Sequence, residues 1–385
     1  MPIREHAEPL LILGARSLVY EFDPCEITTT TPVPNPIHPS VLPKLDQTFV
    51  DLYNRNFARI PPRTPVLTSL RRVYSTQYAF AKGPSPECAE EYDVEADAWR
   101  RYPGKILLRI YVPRGTPPST GWPVHLDFHG GGWGLGDLQT EAHILRHVCT
   151  EASVVVIDVE YRLIPELPFP TAIYDCFEVL KLVHGSPDFT SRHGIDARSI
   201  SIGGLSAGAN IDLILGHLAR DHDPSIPLSV TIAGTPVLSD TSGLDDPKAS
   251  LFASMSEMAL APTLNWIRLK WFDNLKTSSL AASGTPQRQQ QEEDISWFRD
   301  AFTAPDYRHL TGLTFVGTAV CDPLRDEGEA YGKLLLENDN CVIIKRYDGV
   351  PHPFQHMDAV LPQAKEFIED CCRYIKQAHY GDTTN

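Results

Sequence analysis

The sequence SISIGGLSAGAN, residues 199–210, ends an apolar run with a serine between two glycines. The run is typical of a buried β-strand, and the residues that follow it, as far as about Arg220, are typical of a helix. Gly-x-Ser-x-Gly at such a junction is the nucleophile elbow, a sharp turn that lifts the serine hydroxyl out of the sheet edge. The backbone passes very close to itself there, so the positions two before and two after Ser206 must be small, as Gly204 and Gly208 are. The alternative is a flexible glycine-rich loop, and the choice depends on the rest of the chain.

Strands and helices alternate on both sides of this stretch. The sequence predicts strands at 105–113, 122–130, 153–161, 228–234, 313–322 and 341–349, and helices at 137–151, 171–184, 325–338 and near the C-terminus. The run SVVVIDVEY at 153–161 contains the unbroken apolar stretch VVVI, as expected for a strand that is covered on both faces. This alternation predicts an α/β fold with a mostly parallel central sheet and helices on both faces.

Two segments do not follow the alternation. The first 88 residues are rich in proline and predict one amphipathic helix, within 41–59, from apolar positions at helical spacing. Residues 240–300 predict polar helices without strands. We therefore expect one α/β core, formed by 89–239 and 301–385, with an N-terminal addition at 1–88 and an insertion at 240–300.

The composition excludes several classes of partner. The chain has 385 residues with 34 Lys and Arg against 49 Asp and Glu, a net charge of −15, and a surface of that sign repels the phosphates of nucleic acid. No stretch approaches the roughly 20 apolar residues of a membrane-spanning helix, and the N-terminus lacks the pattern of a secretory signal. The eight cysteines are scattered without a CxxC pair, which is typical of reduced, buried thiols. We therefore expect a cytoplasmic protein that binds no nucleic acid and no metal.

A second glycine-rich stretch, HGGGW at 129–133, follows the predicted strand at 122–130. Consecutive glycines leave backbone N–H groups uncovered and allow unusual backbone angles. An acyl-transfer site needs such donors where negative charge develops on the carbonyl oxygen. Alone, the stretch would be an ordinary turn, but together with an elbow further along the chain it predicts an oxyanion hole.

A serine nucleophile also needs a general base and an acceptor that orients the base. His352 follows the strand at 341–349, and Pro353 restricts it to an extended backbone at the edge of the sheet. Asp322 ends the strand at 313–322. The order serine, aspartate, histidine is that of α/β-hydrolases, and all three residues follow strands, which places them at one edge of a parallel sheet.

Three further residues compete for these two roles. Asp326 and Glu327 lie one helical turn beyond Asp322, where acidic residues typically begin a helix. His356 competes with His352 but lies further into the next element. The residues that directly follow the strands are therefore the predicted partners of the serine.

Taken in order, the motifs resemble those of the hormone-sensitive-lipase-like carboxylesterases, a family of the α/β-hydrolase fold. They are HGGG, YRLIPELPFPTAIYD at 161–175, GLSAGAN, CDPLRDEG and the terminal histidine, and they span roughly residues 105–380. The resemblance implies Ser206 as nucleophile, His352 as general base and Asp322 as the partner of the base. It also implies an oxyanion hole made of the N–H groups of Gly131, Gly132 and Ala207.

The resemblance implies supporting parts as well. His129 would organise the glycine loop without taking part in the chemistry, and Arg162 and Glu166 would be structural charges that pin a loop. A helical cap would cover the site, formed here by the N-terminal segment 1–88 and the insertion 240–300.

The chain departs from the family pattern at three positions. The family usually has an acidic residue, or sometimes threonine, where this chain has Leu205, and glycine where it has Ala209 and Pro353. None of these changes removes a catalytic atom. Leu205 does remove a polar group beside the nucleophile, so it bears on the support of the elbow and on substrate preference.

The leading hypothesis is a serine hydrolase that cleaves a small or medium carboxylic ester through an acyl-enzyme and needs no cofactor. The runner-up is the same acyl-enzyme chemistry on an amide, or in acyl transfer within secondary metabolism. A third hypothesis is a non-catalytic small-molecule receptor on the same fold, which retention of the serine, aspartate and histidine argues against. The expected partner is a small-molecule ester, and a homodimer is left open.

Aromatic residues of the predicted insertion have two interpretations. They either line an acyl pocket or pack between cap helices, and packing is the more typical role at their spacing. They are Trp266, Trp271, Phe272, Trp297 and Phe298.

Overall fold

A computed structural model describes residues 33–62, 65–77, 81–281 and 296–381 of the chain. The contacts divide the chain after Val33, and everything described from Pro34 onward belongs to one unit. Strands β1 to β8 are Glu90–Asp97, Lys105–Val112, Trp122–Phe128, Val155–Glu160, Ile195–Leu205, Thr231–Gly234, Thr314–Cys321 and Val342–Pro351. Helices α1 to α11 are Gln47–Asn56, Leu67–Arg71, Tyr74–Gln77, Ala142–Ala152, Thr171–Gly185, Pro187–His193, Ala207–Asp221, Ala253–Glu257, Trp266–Ala281, Arg325–Glu337 and Pro362–Tyr380.

The strands form one sheet in the order β1-β2-β4-β3-β5-β6-β7-β8. Strand β2 runs antiparallel to β1 and β4, whereas all pairs from β4 through β3 to β8 are parallel. The predicted α/β fold with a mostly parallel sheet is therefore confirmed. The carboxyl ends of parallel strands meet at one edge, so the residues that follow β3, β5, β7 and β8 lie near one another.

Helices cover both faces of the sheet, as predicted. On one face α5 and α7 pack against alternate residues of the central strands, such as Leu126, Ile157 and Ile202. On the other face α1, α4 and α11 pack against the intervening residues, including Val156 and Phe315. Strand β4 lies between both layers, which is why five of its six residues, including Asp158, are buried.

Four elements were not predicted from the sequence: β1, α2, α3 and α6. Five of the eight residues of β1 are acidic, yet Tyr92, Val94 and Ala96 alternate with them and pack against the core. The strand lies at the edge of the sheet, where its acidic side chains reach solvent. Helix α6 is a short helix capped by the hydroxyl of Ser186.

Two helices are shorter than predicted. Helix α1 begins after Asp46, whose carboxylate accepts the N–H of Thr48 at 2.7 Å and so caps the helix. Helix α4 begins at Ala142 instead of residue 137, because the carboxylate of Asp137 accepts the N–H of Gln139 and forms a turn.

The two predicted additions fall partly outside the described residues, at 1–32 and 282–295. The described part of 240–300 is helical and irregular, with α8 and α9 and no strand. The domain boundaries stay a prediction. None of the described helices is long and apolar enough to cross a membrane.

Candidate active site

Ser206 occupies the turn between β5 and α7. Its backbone angles are φ 57° and ψ −111°, a region that residues with a Cβ rarely adopt. The N–H of Ser206 donates to the carbonyl of Gly234 at 2.8 Å, which holds the turn against β6. A Cβ at Gly204 would lie 2.4 Å from the carbonyl oxygen of Phe128, and a Cβ at Gly208 only 1.7 Å from it. Both positions require glycine because the end of β3 passes directly beside the turn.

His352 and Asp322 meet at the same edge of the sheet. The Nδ1 atom of His352 lies 2.9 Å from Oδ2 of Asp322, and both side chains are buried. The other oxygen of Asp322 accepts the N–H of Leu324 at 2.9 Å, which fixes the carboxylate. A carboxylate at Nδ1 favours the tautomer with its proton there and leaves a lone pair on Nε2. Ser206 and His352 line one cavity, so the structure brings together the three predicted residues.

The two competing acids have other partners. Asp326 accepts the N–H of Ser254 at 2.8 Å. Glu327 accepts the N–H of Leu238 at 2.7 Å and the hydroxyl of Ser239, and burial raises the pKa of Glu327 to about 8. Because Ser239 lines the cavity, Glu327 holds part of the cavity wall.

The glycine loop after β3 contributes two N–H groups to the cavity. Gly131 and Gly132 have φ values of 127° and 59°, and both line the cavity with the serine. The carbonyl of Gly131 accepts the N–H groups of Gly134 and Leu135, which closes the loop into a turn. In the described part of the chain, neither N–H of the two glycines donates to a protein acceptor. The N–H of Ala207, in the first turn of α7, likewise has no acceptor within its helix.

Buried polar residues hold the start of this loop. His129 places Nδ1 2.9 Å from the carbonyl of Gly130, and its ring stacks on Tyr161 with 4.2 Å between ring centroids. The hydroxyl of Tyr161 donates to the carbonyl of His129 at 2.7 Å. On the other side, Glu141 accepts the N–H of Gly130 at 2.7 Å. Burial, and then the nearby Asp127, raise the pKa of Glu141 well above its usual range.

Arg71, at the end of α2, secures the other end of the loop, and the sequence analysis did not single it out. Its Nε and Nη2 atoms each donate at 2.8 Å, to the carbonyls of Gly134 and Ile164. It also forms a bidentate pair with Glu166, at 2.6 and 2.8 Å. Arg71 is 63 residues from Gly134 in sequence. A contact over that separation is not predicted by any local sequence motif.

Two neighbours of Arg71 extend the contact along the same loop. Ser75 donates to the carboxylate of Asp137 at 3.3 Å, and Lys82 donates to the carbonyl of Gln139 at 3.1 Å. Tyr74, beside them, lines the cavity. The segment that precedes β1 therefore borders the active cavity.

Arg162 and Glu166, the two charges of the YRLIPE stretch, contact different partners. Arg162 forms a bidentate pair with buried Asp175, at 2.7 Å for both bonds, and Glu166 pairs with Arg71. Each pair connects the stretch to a separate part of the fold, which is the pinning role expected of them.

The predicted insertion supplies much of the cavity wall. The lining residues from the loop after β6 and from the insertion are Val237, Ser239, Thr241, Met255, Thr263, Leu264, Arg268, Leu269, Phe272 and Asp273. Phe272 lies against the glycine loop, since a Cβ at Gly132 would be 2.2 Å from its ring. The free volume is small, about 50 Å³.

Of the five aromatic residues considered, Phe272 lines the cavity and Phe298 is buried in the core beside α5. Trp297 packs against the same core cluster. Lining the pocket is therefore the role of Phe272, and packing in the core is the role of Trp297 and Phe298.

A buried cation connects α9 to the floor of the cavity. Lys276 is almost fully buried, with Nζ 3.5 Å from Oδ1 of Asp273 and 5.2 Å from the ring centroid of Trp133. The hydroxyl of Thr241 donates to Asp273 at 2.6 Å. These contacts fix Asp273 and were not anticipated from the sequence.

The residues that depart from the family pattern are all buried or line the cavity. Leu205 packs in the core beneath the elbow, and its side chain fills the space beside Gly234. Ala209 is fully buried in α7, and Pro353 lines the cavity. An apolar contact thus supports the elbow at the position where the family pattern has a polar group.

Comparisons with known proteins agree with this geometry. A family model described as alpha/beta hydrolase fold matches residues 125–356. An AB hydrolase superfamily protein of Schizosaccharomyces pombe is 31% identical over 91% of this chain and 98% of its own length. Carboxylesterase NlhH of Mycobacterium tuberculosis is 31% identical over 80% of this chain and 93% of its own length. The crystal structure of EstE1, a thermostable carboxylesterase cloned from a metagenomic library, has a TM-score of 0.69 and 28% identity, covering 82% of this chain and 98% of its own.

Proposed function

We propose that this chain, which belongs to the hormone-sensitive-lipase-like family of α/β-hydrolases, is a serine hydrolase that cleaves a small or medium carboxylic ester through an acyl-enzyme. One observation carries the proposal: Ser206 on a strained elbow shares a cavity with the Asp322–His352 pair and with the unbonded N–H groups of Gly131 and Gly132. The carboxylesterase activity named for NlhH and EstE1 supports it.

In this mechanism Ser206 Oγ attacks the ester carbonyl and forms a C–O bond while Nε2 of His352 takes the hydroxyl proton. Asp322 holds the ring in the required tautomer and stabilises the imidazolium. Collapse of the tetrahedral intermediate breaks the bond to the alcohol oxygen, which receives that proton from His352 and leaves. Water then attacks the acyl-enzyme with the same base, and the acid and the free serine are regenerated.

The N–H groups of Gly131, Gly132 and Ala207 stabilise the negative oxygen of each tetrahedral intermediate. Loss of a single oxyanion donor lowers kcat by roughly 10²–10³ in serine hydrolases. Because the glycine loop is held at both ends, by Glu141 and by Arg71, its donors are oriented before the substrate binds. Such preorganisation is what makes the donors effective in the transition state.

The free volume of the cavity supports a limited acyl size. About 50 Å³ is open beside the serine, and one water needs roughly 10–15 Å³ on the same measure. A short acyl group of a few carbon atoms fits this space. A cytoplasmic location remains a prediction from the sequence, and a homodimer is left open.

The runner-up reactions, on an amide or by acyl transfer, use the same acyl-enzyme and differ only in the leaving group or the acceptor. A receptor on this fold would not require the hydrogen bond between His352 and Asp322. Turnover and covalent labelling separate these alternatives.

The test uses p-nitrophenyl esters of increasing acyl length, with Ser206→Ala as the matched variant. We expect highest kcat/KM on short esters, loss of turnover in Ser206→Ala, and labelling of the wild type alone by a fluorophosphonate probe. Absence of both turnover and labelling in the wild type would refute the proposal. Labelling without turnover on any ester would favour the amide or acyl-transfer alternative.

A further inference from the structure

A second cavity adjoins the catalytic one, and the two share Thr263 and Arg268 as lining residues. We propose that this second cavity holds the alcohol part of the ester and that Arg268 selects alcohols that carry a negatively charged group. The inference rests on the proposed esterase function and specifies its substrate class.

The second cavity, here called the alcohol groove, has a free volume of about 430 Å³. This is within the roughly 300–1,000 Å³ range of small-molecule sites, whereas the space beside the serine is about 50 Å³. Most of its lining residues are apolar, among them Pro36, Ile37, Tyr53, Phe57, Leu260 and Ile267.

The position of the groove assigns it to the alcohol and not to the acyl group. The hydroxyl of Thr263 is hydrogen-bonded to the carbonyl of His352. His352 is the residue that gives its proton to the departing alcohol, so the alcohol lies beside it in the transition state. A groove that opens at Thr263 therefore continues from the alcohol side of the ester.

At this junction Arg268 is a cation that has no acidic partner among the described residues. No carboxylate in the described ranges lies within ion-pair distance of its guanidinium, which lies 5.4 Å from the ring centroid of Trp271. Asp273, the acid that lines the same cavity, is engaged by Thr241 and Lys276. In a chain of net charge −15, an unpaired arginine beside an apolar groove is suited to bind a carboxylate with two parallel hydrogen bonds.

The test compares phenyl acetate, 4-acetoxybenzoate and 4-acetoxybenzamide. All three form the same acetyl-enzyme, so deacylation is identical and kcat/KM reports recognition of the alcohol part. We expect Arg268→Gln to lower kcat/KM for 4-acetoxybenzoate by roughly 10- to 100-fold more than kcat/KM for either neutral ester, the effect of a hydrogen bond to a charged group. Comparing each ester between variants cancels the intrinsic reactivity of its leaving group.

Ile267 supplies independent variants, since its side chain lines the groove and is 74% exposed. Ile267→Lys should raise the ratio of kcat/KM for 4-acetoxybenzoate to kcat/KM for phenyl acetate, and Ile267→Glu should lower that ratio. One outcome is that phenyl acetate is hydrolysed, that Ser206→Ala abolishes this hydrolysis, and that no variant changes kcat/KM for 4-acetoxybenzoate relative to phenyl acetate. In that case the inference about Arg268 is wrong and the esterase proposal stands. If the wild type hydrolyses none of the three esters, both are overturned.

Discussion

Replacing Arg71 by methionine tests whether a residue outside the catalytic set positions the oxyanion loop. The change removes four hydrogen bonds, to the carbonyls of Gly134 and Ile164 and to both oxygens of Glu166, and keeps a side chain of similar length. The two bonds to carbonyls stabilise the fold by roughly 1 kcal/mol each. The pair with Glu166, whose side chain is 60% exposed, adds at most about 1 kcal/mol. The free energy of unfolding should therefore fall by about 2–3 kcal/mol.

The effect on catalysis follows from where these bonds lie. Gly134 donates to the carbonyl of Gly131, so release of Gly134 loosens the turn that orients the N–H groups of Gly131 and Gly132. A displacement of about 1 Å at a reacting group costs up to roughly a hundredfold in rate. We expect kcat on a short p-nitrophenyl ester to fall by about 10- to 100-fold, with a much smaller change in KM because the ground-state carbonyl depends less on these donors.

Arg146→Met is the matched control. Arg146 forms a bidentate pair with Glu91 at 2.7 and 2.9 Å, and its side chain is 28% exposed against 26% for Arg71. It does not contact the glycine loop. Thermal unfolding and steady-state kinetics should show a smaller loss of stability for Arg146→Met, which loses its pair with Glu91 but no bond to a backbone carbonyl among the described residues, and a loss of kcat for Arg71→Met alone. Equal kcat in both variants at a temperature where both are folded would refute the positioning role.

Three further predictions follow from the same geometry. Gly208→Ala should abolish activity and lower Tm sharply, because its Cβ would lie 1.7 Å from a carbonyl of β3, whereas Gly185→Ala, with no atom within 4 Å of its Cβ, should be neutral in both assays. Asp322→Asn should lower kcat by roughly 10³–10⁴ with little change in Tm, because an asparagine favours the wrong tautomer of the histidine; a loss below tenfold would contradict the proposed role. The native pKa of Glu327 is raised from 4.5 to about 8, so the unfolded chain releases this proton first and stability should decrease as the pH rises from about 5 to 8. Glu327→Gln should show a flatter unfolding free energy over that range in denaturant titrations, and an unchanged slope would show that the carboxyl is ionised in the native state.

The sequence was sufficient to place Ser206, Asp322 and His352 in the fold because each directly follows a strand of the parallel sheet. The pattern of apolar residues predicts where the strands lie. Because the carboxyl ends of parallel strands share one edge of the sheet, residues that follow different strands are expected to lie close together. The glycines around Ser206 could be interpreted for a similar reason, since the steric demand of the turn is local.

The features of the fold and the site that could not be predicted depend on contacts between segments distant in sequence, or on an environment that the amino-acid composition of a segment does not indicate. Strand β1 is mostly acidic, and only its position at the sheet edge makes that sequence compatible with a strand. The contacts of Arg71 with Gly134 and of Lys276 with the ring of Trp133 join residues that no spacing rule relates. The roles of Asp326 and Glu327 also required the structure, because a carboxylate that begins a helix and one that anchors a cavity wall look alike in sequence.

The contacts of Arg71, Ser75 and Lys82 have a consequence for how this enzyme scaffold can be recombined. All three residues precede the part of the chain that the family model matches, residues 125–356, yet they bond to the loop that follows β3. A chimera that took the segment before β1 from a relative would retain every catalytic residue and still lose the partner of its oxyanion loop. The two segments must therefore be inherited or exchanged as a pair, and substitutions in one constrain which substitutions the other can accept.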